Sequence, residues 1–190
     1  EYDGTALTNN TVTPSGDGFV AGESFNYTVS GSQTTVGSSE NTFTYTAGTG
    51  TALTDYNVTP TAGTLTVTKS NDITLTVPET TEKKYDGEPF GPAATATGIG
   101  ADVIKIEYST DGGTTWTTRP PTVTHVADTA HVTVRATNPN YDTITENYTL
   151  TRSKRALTLT SGSDSKEYDG TALTNSTVTP SGDGFVEGES

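Results

Sequence analysis

Tyr2-Asp3-Gly4 stands at the head of the chain, and the same three residues return as Tyr85-Asp86-Gly87 and Tyr168-Asp169-Gly170. The interval, 85 − 2 and 168 − 85, is 83 residues both times. The outer copies repeat more than the tripeptide. Glu1–Ser24 and Glu167–Ser190 differ only at Asn10/Ser176 and Ala21/Glu187. A fixed period decides architecture before any local reading does. It predicts a window on a longer array: a first repeat over 1–69 without its opening strand, a complete second repeat over 70–153, and the opening part of a third over 154–190.

A unit of this length can bury one modest core. The hydrophobic fraction is 29% and the net charge −13, a composition that permits disorder. The arrangement of the apolar residues argues against disorder, because they alternate with Thr in short runs, the pattern of half-buried strands. Thr is β-branched and suits a pleated surface. The chain has no Cys, hence no disulfide framework and no thiol chemistry. No apolar run is long enough to span a membrane as a helix. The acidic balance disfavours nucleic acid, whose phosphates call for Lys and Arg.

In the first repeat, Phe25, Tyr27 and Val29 share one strand face, and Phe43-Thr44-Tyr45 is a second alternating run. Tyr56-Asn57-Val58 and Leu65-Thr66-Val67 are expected to pair through a turn at Pro60 to Gly63, with Lys69 to Asp72 as a polar linker. In the second repeat, Ile73 to Val77 opens the domain. Ile104, Ile106 and Tyr108 alternate with Lys105 and Glu107, and Asp111-Gly112-Gly113 turns the chain back toward Trp116. A further hairpin is expected around Asp128, joining Val123–Val126 to Val132–Ala136. Arg152 to Arg155 reads as the second linker. No stretch shows a period of 3.6, so the fold class is all-β, or α+β and β-grasp-like, with at most one helical turn near Gly18 to Ser24.

The opening Tyr-Asp-Gly-Thr-Ala-Leu-Thr, the run Asn147-Tyr148-Thr149 and the closing Gly63-Thr64-Leu65-Thr66-Val67-Thr68 together resemble the mostly-β, β-grasp-like repeats, often called MBG domains, of large bacterial surface proteins. These belong chiefly to Gram-positive, adhesin-like proteins. The resemblance covers essentially the whole chain and implies tandem small β domains in a stalk on the bacterial cell surface. It carries over no catalytic residues.

The candidate sites divide by chemistry. At each Tyr-Asp-Gly (Tyr2, Asp3, Gly4; Tyr85, Asp86, Gly87; Tyr168, Asp169, Gly170), the Asp-Gly pair is turn chemistry: Asp bonds nearby backbone and Gly supplies positive φ. The segment Ser109 to Trp116 resembles the Ser-x-Asp-x-Gly-x-Thr-Trp box of sialidase propeller blades. It occurs once and reads as a hairpin, since a propeller needs several blades. Trp116, with Tyr108, is the candidate ligand platform. His125 and His131 flank Asp128, too few ligands for a structural zinc site. Carboxylates are many, but none are spaced as a calcium loop. Lys83, Lys84 and Lys105 are the candidate donors for an isopeptide crosslink. No nucleophile–base set stands out, so neither catalysis, nor a cofactor, nor a metal is expected.

These readings converge on a non-catalytic spacer in an extracellular, adhesin-like protein, with a carbohydrate- or protein-binding module as the alternative. Contacts with host glycan or matrix protein are expected through other parts of the parent protein, with neither nucleic acid nor membrane as partner. The first repeat lacks the strand that Leu157 to Thr160 would supply. Head-to-tail strand exchange between chains through residues 154–190 is therefore expected, the alternative being a tail that completes a sheet within its own chain.

Overall fold

The computed structural model describes all residues, 1–190. The fold is nearly all β, with twelve strands and one three-residue 3-10 turn at Leu53–Asp55. The chain divides into two compact units. The first comprises Glu1–Thr74, Ala96–Lys105 and Ala136–Ile144; the second comprises Leu75–Thr95, Ile106–Arg135 and Thr145–Ser190.

In the first unit, β1 (Phe25–Val29) pairs antiparallel with β3 (Phe43–Ala47), placing Tyr27 opposite Tyr45. β2 (Gly37–Asn41) pairs antiparallel with β4 (Gly63–Val67). The chain changes sheets at Thr42, whose carbonyl accepts the Ser30 N–H at 2.9 Å. Tyr2, Leu65, Val67, Ile73 and Tyr141 are buried here. The rings of Tyr2 and Tyr141 meet edge to face at 5.5 Å. Both hydroxyls donate to Asp102 Oδ2, at 2.9 and 2.6 Å. These bonds hold both phenols protonated to higher pH than a free tyrosine; burial is the larger cause at Tyr141.

The second unit holds most of a four-stranded sheet in the order β6 (Glu82–Lys84), β10 (Ile144–Ser153), β9 (Ala130–Thr137), β8 (Lys105–Ser109). β6 and β10 run parallel, with Thr151 opposite Glu82. The inward rows of β9 and β10 alternate as strand geometry requires: Val132, Val134 and Leu150 are at most 1% exposed. Two further pairs are β5 (Thr74–Thr76) with β7 (Thr95–Thr97), and β11 (Leu157–Ser161) with β12 (Val178–Gly182). β11 begins 83 residues after β5, and β12 begins 83 residues after β7 (157 − 74 and 178 − 95). The tail thus pairs its two strands with each other.

Five local expectations differ from the structure. Tyr56–Val58 is not a strand, and β4 takes β2 as its partner; the Tyr56 hydroxyl instead donates to Glu23 and accepts the Val20 N–H, which holds that segment as a strut. The helical turn falls at Leu53–Asp55 rather than near Gly18. Lys69 to Asp72 is no loose linker: Ser70 is 1% exposed, its N–H donates to Asn140 and its carbonyl accepts from Asp142, since buried backbone groups need partners. No hairpin forms around Asp128. Its carboxylate caps a local turn by accepting the N–H groups of Thr124 and His125, and Val123 bridges to Phe90. The second linker changes character too: Arg152 lies within β10 with its side chain fully buried.

Candidate functional site

The three Tyr-Asp-Gly copies build one local device. Asp3 Oδ1 accepts the Thr5 N–H at 2.8 Å, Asp86 Oδ1 the Glu88 N–H at 3.1 Å, and Asp169 Oδ1 the Thr171 N–H at 2.9 Å. Gly4, Gly87 and Gly170 adopt φ of 80°, 83° and 78°, a region glycine enters without Cβ strain. The tyrosines diverge: Tyr2 is buried, Tyr85 half-buried, and Tyr168 97% exposed. The Tyr85 hydroxyl donates to Glu189 at 2.6 Å.

At Asp86 the turn acquires charge. Lys83 Nζ lies 2.6 Å away, and Arg152 Nη2 donates to the same carboxylate. The Lys83 ammonium and then the Arg152 guanidinium hold the Asp86 carboxyl well below the usual carboxylate range. Two other nitrogens of Arg152, Nε and Nη1, are buried without hydrogen-bond partners. Its guanidinium lies 5.9 Å from the ring centres of Tyr85 and of Phe90. Lys83 and Lys84 stand half-exposed in ion pairs with Asp86 and Asp183. They are not the desolvated amines that attack on an amide requires.

The Ser109–Trp116 box is a closed loop. Asp111 Oδ1 accepts from the N–H groups of Thr114 and Thr115 and from the Ser109 hydroxyl, which with the Thr115 hydroxyl depresses its pKa. Trp116 Nε1 donates to the Gly113 carbonyl at 3.0 Å, and the Arg135 guanidinium covers the indole at 4.0 Å. Tyr108 is 3% exposed, and its hydroxyl accepts the Ala94 N–H. Trp116 is therefore half-buried beneath an arginine, and Tyr108 presents no ring face to solvent. The two histidines do not meet: His125 stacks on Tyr85 at 6.0 Å, whereas His131 Nδ1 bonds Thr149 Oγ1.

The open aromatic surface lies elsewhere. In the first unit a cavity of about 400 Å³ is walled by the inner faces of β1 and β3 (Phe25, Tyr27, Phe43, Tyr45), by Phe19 and Tyr56, and by the segment Thr11 to Ser15. No charged residue lines it. Phe25 stacks on Tyr45 at 5.4 Å and meets Phe19 and Tyr56 edge-on at 5.0 and 5.5 Å. Despite this mutual packing, all six rings remain only half-buried. The wall segment is anchored at its start, where Leu7 and Gln33 exchange backbone hydrogen bonds and Asn41 Nδ2 donates to the Asn9 carbonyl at 2.7 Å.

No family model, curated protein or solved structure matches the chain. The cavity is thus read from its own chemistry. Uncharged, with aromatic rings on one wall and Thr, Asn and Ser around much of the rest, it suits a neutral occupant that offers both an apolar face and hydrogen-bonding groups. It contains no nucleophile–base pair. Sequence reading placed Phe25, Tyr27 and Val29 on one face but not the cavity they border. A signal was present: six of the fourteen Phe and Tyr residues fall between Phe19 and Tyr56, more than one two-stranded sheet can cover.

Proposed function

We propose that the chain is a run of tandem, β-grasp-like domains forming a non-catalytic spacer in an adhesin-like protein of the bacterial cell surface. The observation that carries this reading is the 83-residue recurrence, in sequence and in local structure alike. The same Asp-Gly turn stands at Asp3, Asp86 and Asp169, and the β5/β7 pair recurs as β11/β12 at that interval. Copying a unit lengthens a solenoid-like array without redesigning a core. The surplus of negative charge keeps neighbouring chains apart and in solution. Recognition of host glycan or matrix protein then belongs to other parts of the parent protein.

The test is small-angle scattering on arrays of increasing repeat number. A maximum dimension that grows linearly with repeat count supports the spacer; a constant or slowly growing one overturns it. A second reading, a carbohydrate- or protein-binding module, is favoured by the aromatic cavity rather than by Trp116 and Tyr108. Retention of soluble glycans or matrix proteins by the isolated chain, lost in Tyr45→Ser, would support it.

A further inference from the structure

One four-residue turn recurs three times with the same backbone bond. The Glu23 N–H donates to the Val20 carbonyl at 3.0 Å, that of Asp102 to Ile99 at 3.2 Å, and that of Glu189 to Val186 at 3.0 Å. Each turn carries a β-branched residue first and a carboxylate fourth. Two of the turns are completed by a tyrosine from later in their own repeat. The Tyr141 hydroxyl accepts the Ile99 N–H at 2.7 Å and donates to Asp102. The Tyr56 hydroxyl accepts the Val20 N–H at 3.1 Å and donates to Glu23. The wiring is the same although Ile99-Gly100-Ala101-Asp102 and Val20-Ala21-Gly22-Glu23 share no residue at any position.

Two of the turns hold a Tyr-Asp-Gly segment from the preceding repeat. The Tyr2 hydroxyl donates to Asp102 Oδ2 at 2.9 Å, and a Cβ on Gly4 would stand 3.1 Å from Ile99 Cγ2. The Tyr85 hydroxyl donates to Glu189 Oε1 at 2.6 Å, and a Cβ on Gly87 would stand 2.7 Å from Val186 Cγ1. In both, the tyrosine takes the fourth residue of the turn and the glycine the first. Each contact lies within one compact unit. Glycine serves twice here, by its positive φ and by leaving room for the apolar side chain. Ile99 and Val186 are half-buried in these contacts, whereas Val20 is 68% exposed.

We propose that the turn Val20–Glu23, with Tyr56, is a third binding site of this kind, that its ligand is the Tyr-Asp-Gly segment of another copy of the repeat, and that this contact is the joint fastening consecutive repeats. The two occupied sites identify the ligand; the openness of the third is not the argument. Asp102 Oδ2 accepts two tyrosine hydroxyls at once, from Tyr2 and Tyr141, so the bond from Tyr56 leaves Glu23 able to accept a second. A hydroxyl donating to a carboxylate is a charge-assisted bond, set here beside a small apolar contact. Such a joint is weak between separate chains and is reinforced by effective concentration within one array. The inference rests on the chain being a run of repeats, and not on what the array spans or binds.

Site and ligand can be read separately in this chain. Tyr168 is 97% exposed, and Tyr168→Ala removes that ligand. The Tyr168→Ala chain, isotope-labelled for amide resonances, is titrated with unlabelled wild-type chain at high salt, which screens the repulsion between acidic chains. The Val20 and Glu23 resonances should shift saturably, while those of Ile99 and Val186, whose sites are filled, stay in place. The shift should vanish with Tyr168→Ala as titrant. It should weaken several-fold with Tyr168→Phe as titrant, which keeps the ring and loses the donor, and when the labelled chain also carries Glu23→Gln. No movement of Val20 and Glu23 at the highest soluble concentration, or equal movement with the Tyr168→Ala titrant, overturns the proposal. The filled site at Asp102 gives a check without association, through the urea midpoints of Tyr2→Phe, Asp102→Asn and the double variant. The losses should be non-additive, since both single changes remove one bond; additive losses would make the contact incidental and overturn the joint. Neither failure bears on the scattering test of the spacer, because an array without fixed joints also lengthens as repeats are added.

Discussion

At the scale of single residues, the chain relies on carboxylates that accept several hydrogen bonds each. Asp111 accepts from Ser109, Thr114 and Thr115, and Asp86 sits between Lys83 and Arg152. Both carboxyls titrate below their unfolded value of about 4. Their stabilisation is therefore fully present above about pH 4 and is lost as pH falls through the depressed folded values. We expect the urea midpoint to drop as pH is lowered from neutrality toward pH 2, and the drop to shrink in Asp111→Asn. An unchanged acid slope in that variant would assign the sensitivity elsewhere. Arg152 makes a different case. Its side chain is fully buried with Nε and Nη1 unpartnered, but Asp86 is 30% exposed and keeps Lys83. Removing the guanidinium thus strands no buried charge. Arg152→Ala, which leaves a void, should cost about 2–4 kcal/mol, whereas Arg152→Met, which fills it, should cost well under half as much. Equal losses in urea titrations of the two variants would show that the charge, not the volume, matters.

At the scale of the element, the twin stretches Val12–Gly16 and Val178–Gly182 show how little a strand owes to its own sequence. The second copy pairs with β11 and the first has no strand partner. Amide hydrogen exchange should separate them: Thr179 and Ser181 are expected to exchange more slowly than Thr13 and Ser15 in dilute protein. Equal rates would mean that β12 is no more formed than its twin. The same logic explains what was legible in the sequence. β1, β3, β8 and β9 carry apolar residues at every second position, and that row announces a strand wherever one face is buried. β2, Gly-Ser-Ser-Glu-Asn, carries no such row; it is held by backbone pairing to β4, a long-range fact. Asp128 looked like the tip of a hairpin because apolar residues flank it. Its carboxylate instead satisfies two backbone N–H groups locally, and the flanking segments found other partners. The Asp-Gly turns were readable because their chemistry is local; the cavity was not, because it is made by segments that sequence distance separates.

At the scale of the whole molecule, burial is unevenly spread. β9 and β10 bury Val132, Val134 and Leu150 almost completely, whereas the rings of β1 and β3 border an open cavity and stay half-buried. A ring with no neighbours on one side forfeits their dispersion contacts, and regions with fewer buried contacts open at lower free energy. The β1–β3 sheet should therefore unfold before the four-stranded sheet. Trp116 is the sole tryptophan and lies in the second unit, so its fluorescence follows that unit alone, while near-ultraviolet ellipticity also follows the Phe–Tyr cluster of the first. We expect the ellipticity midpoint in urea to fall below the fluorescence midpoint. Coincident curves would make the chain one cooperative body.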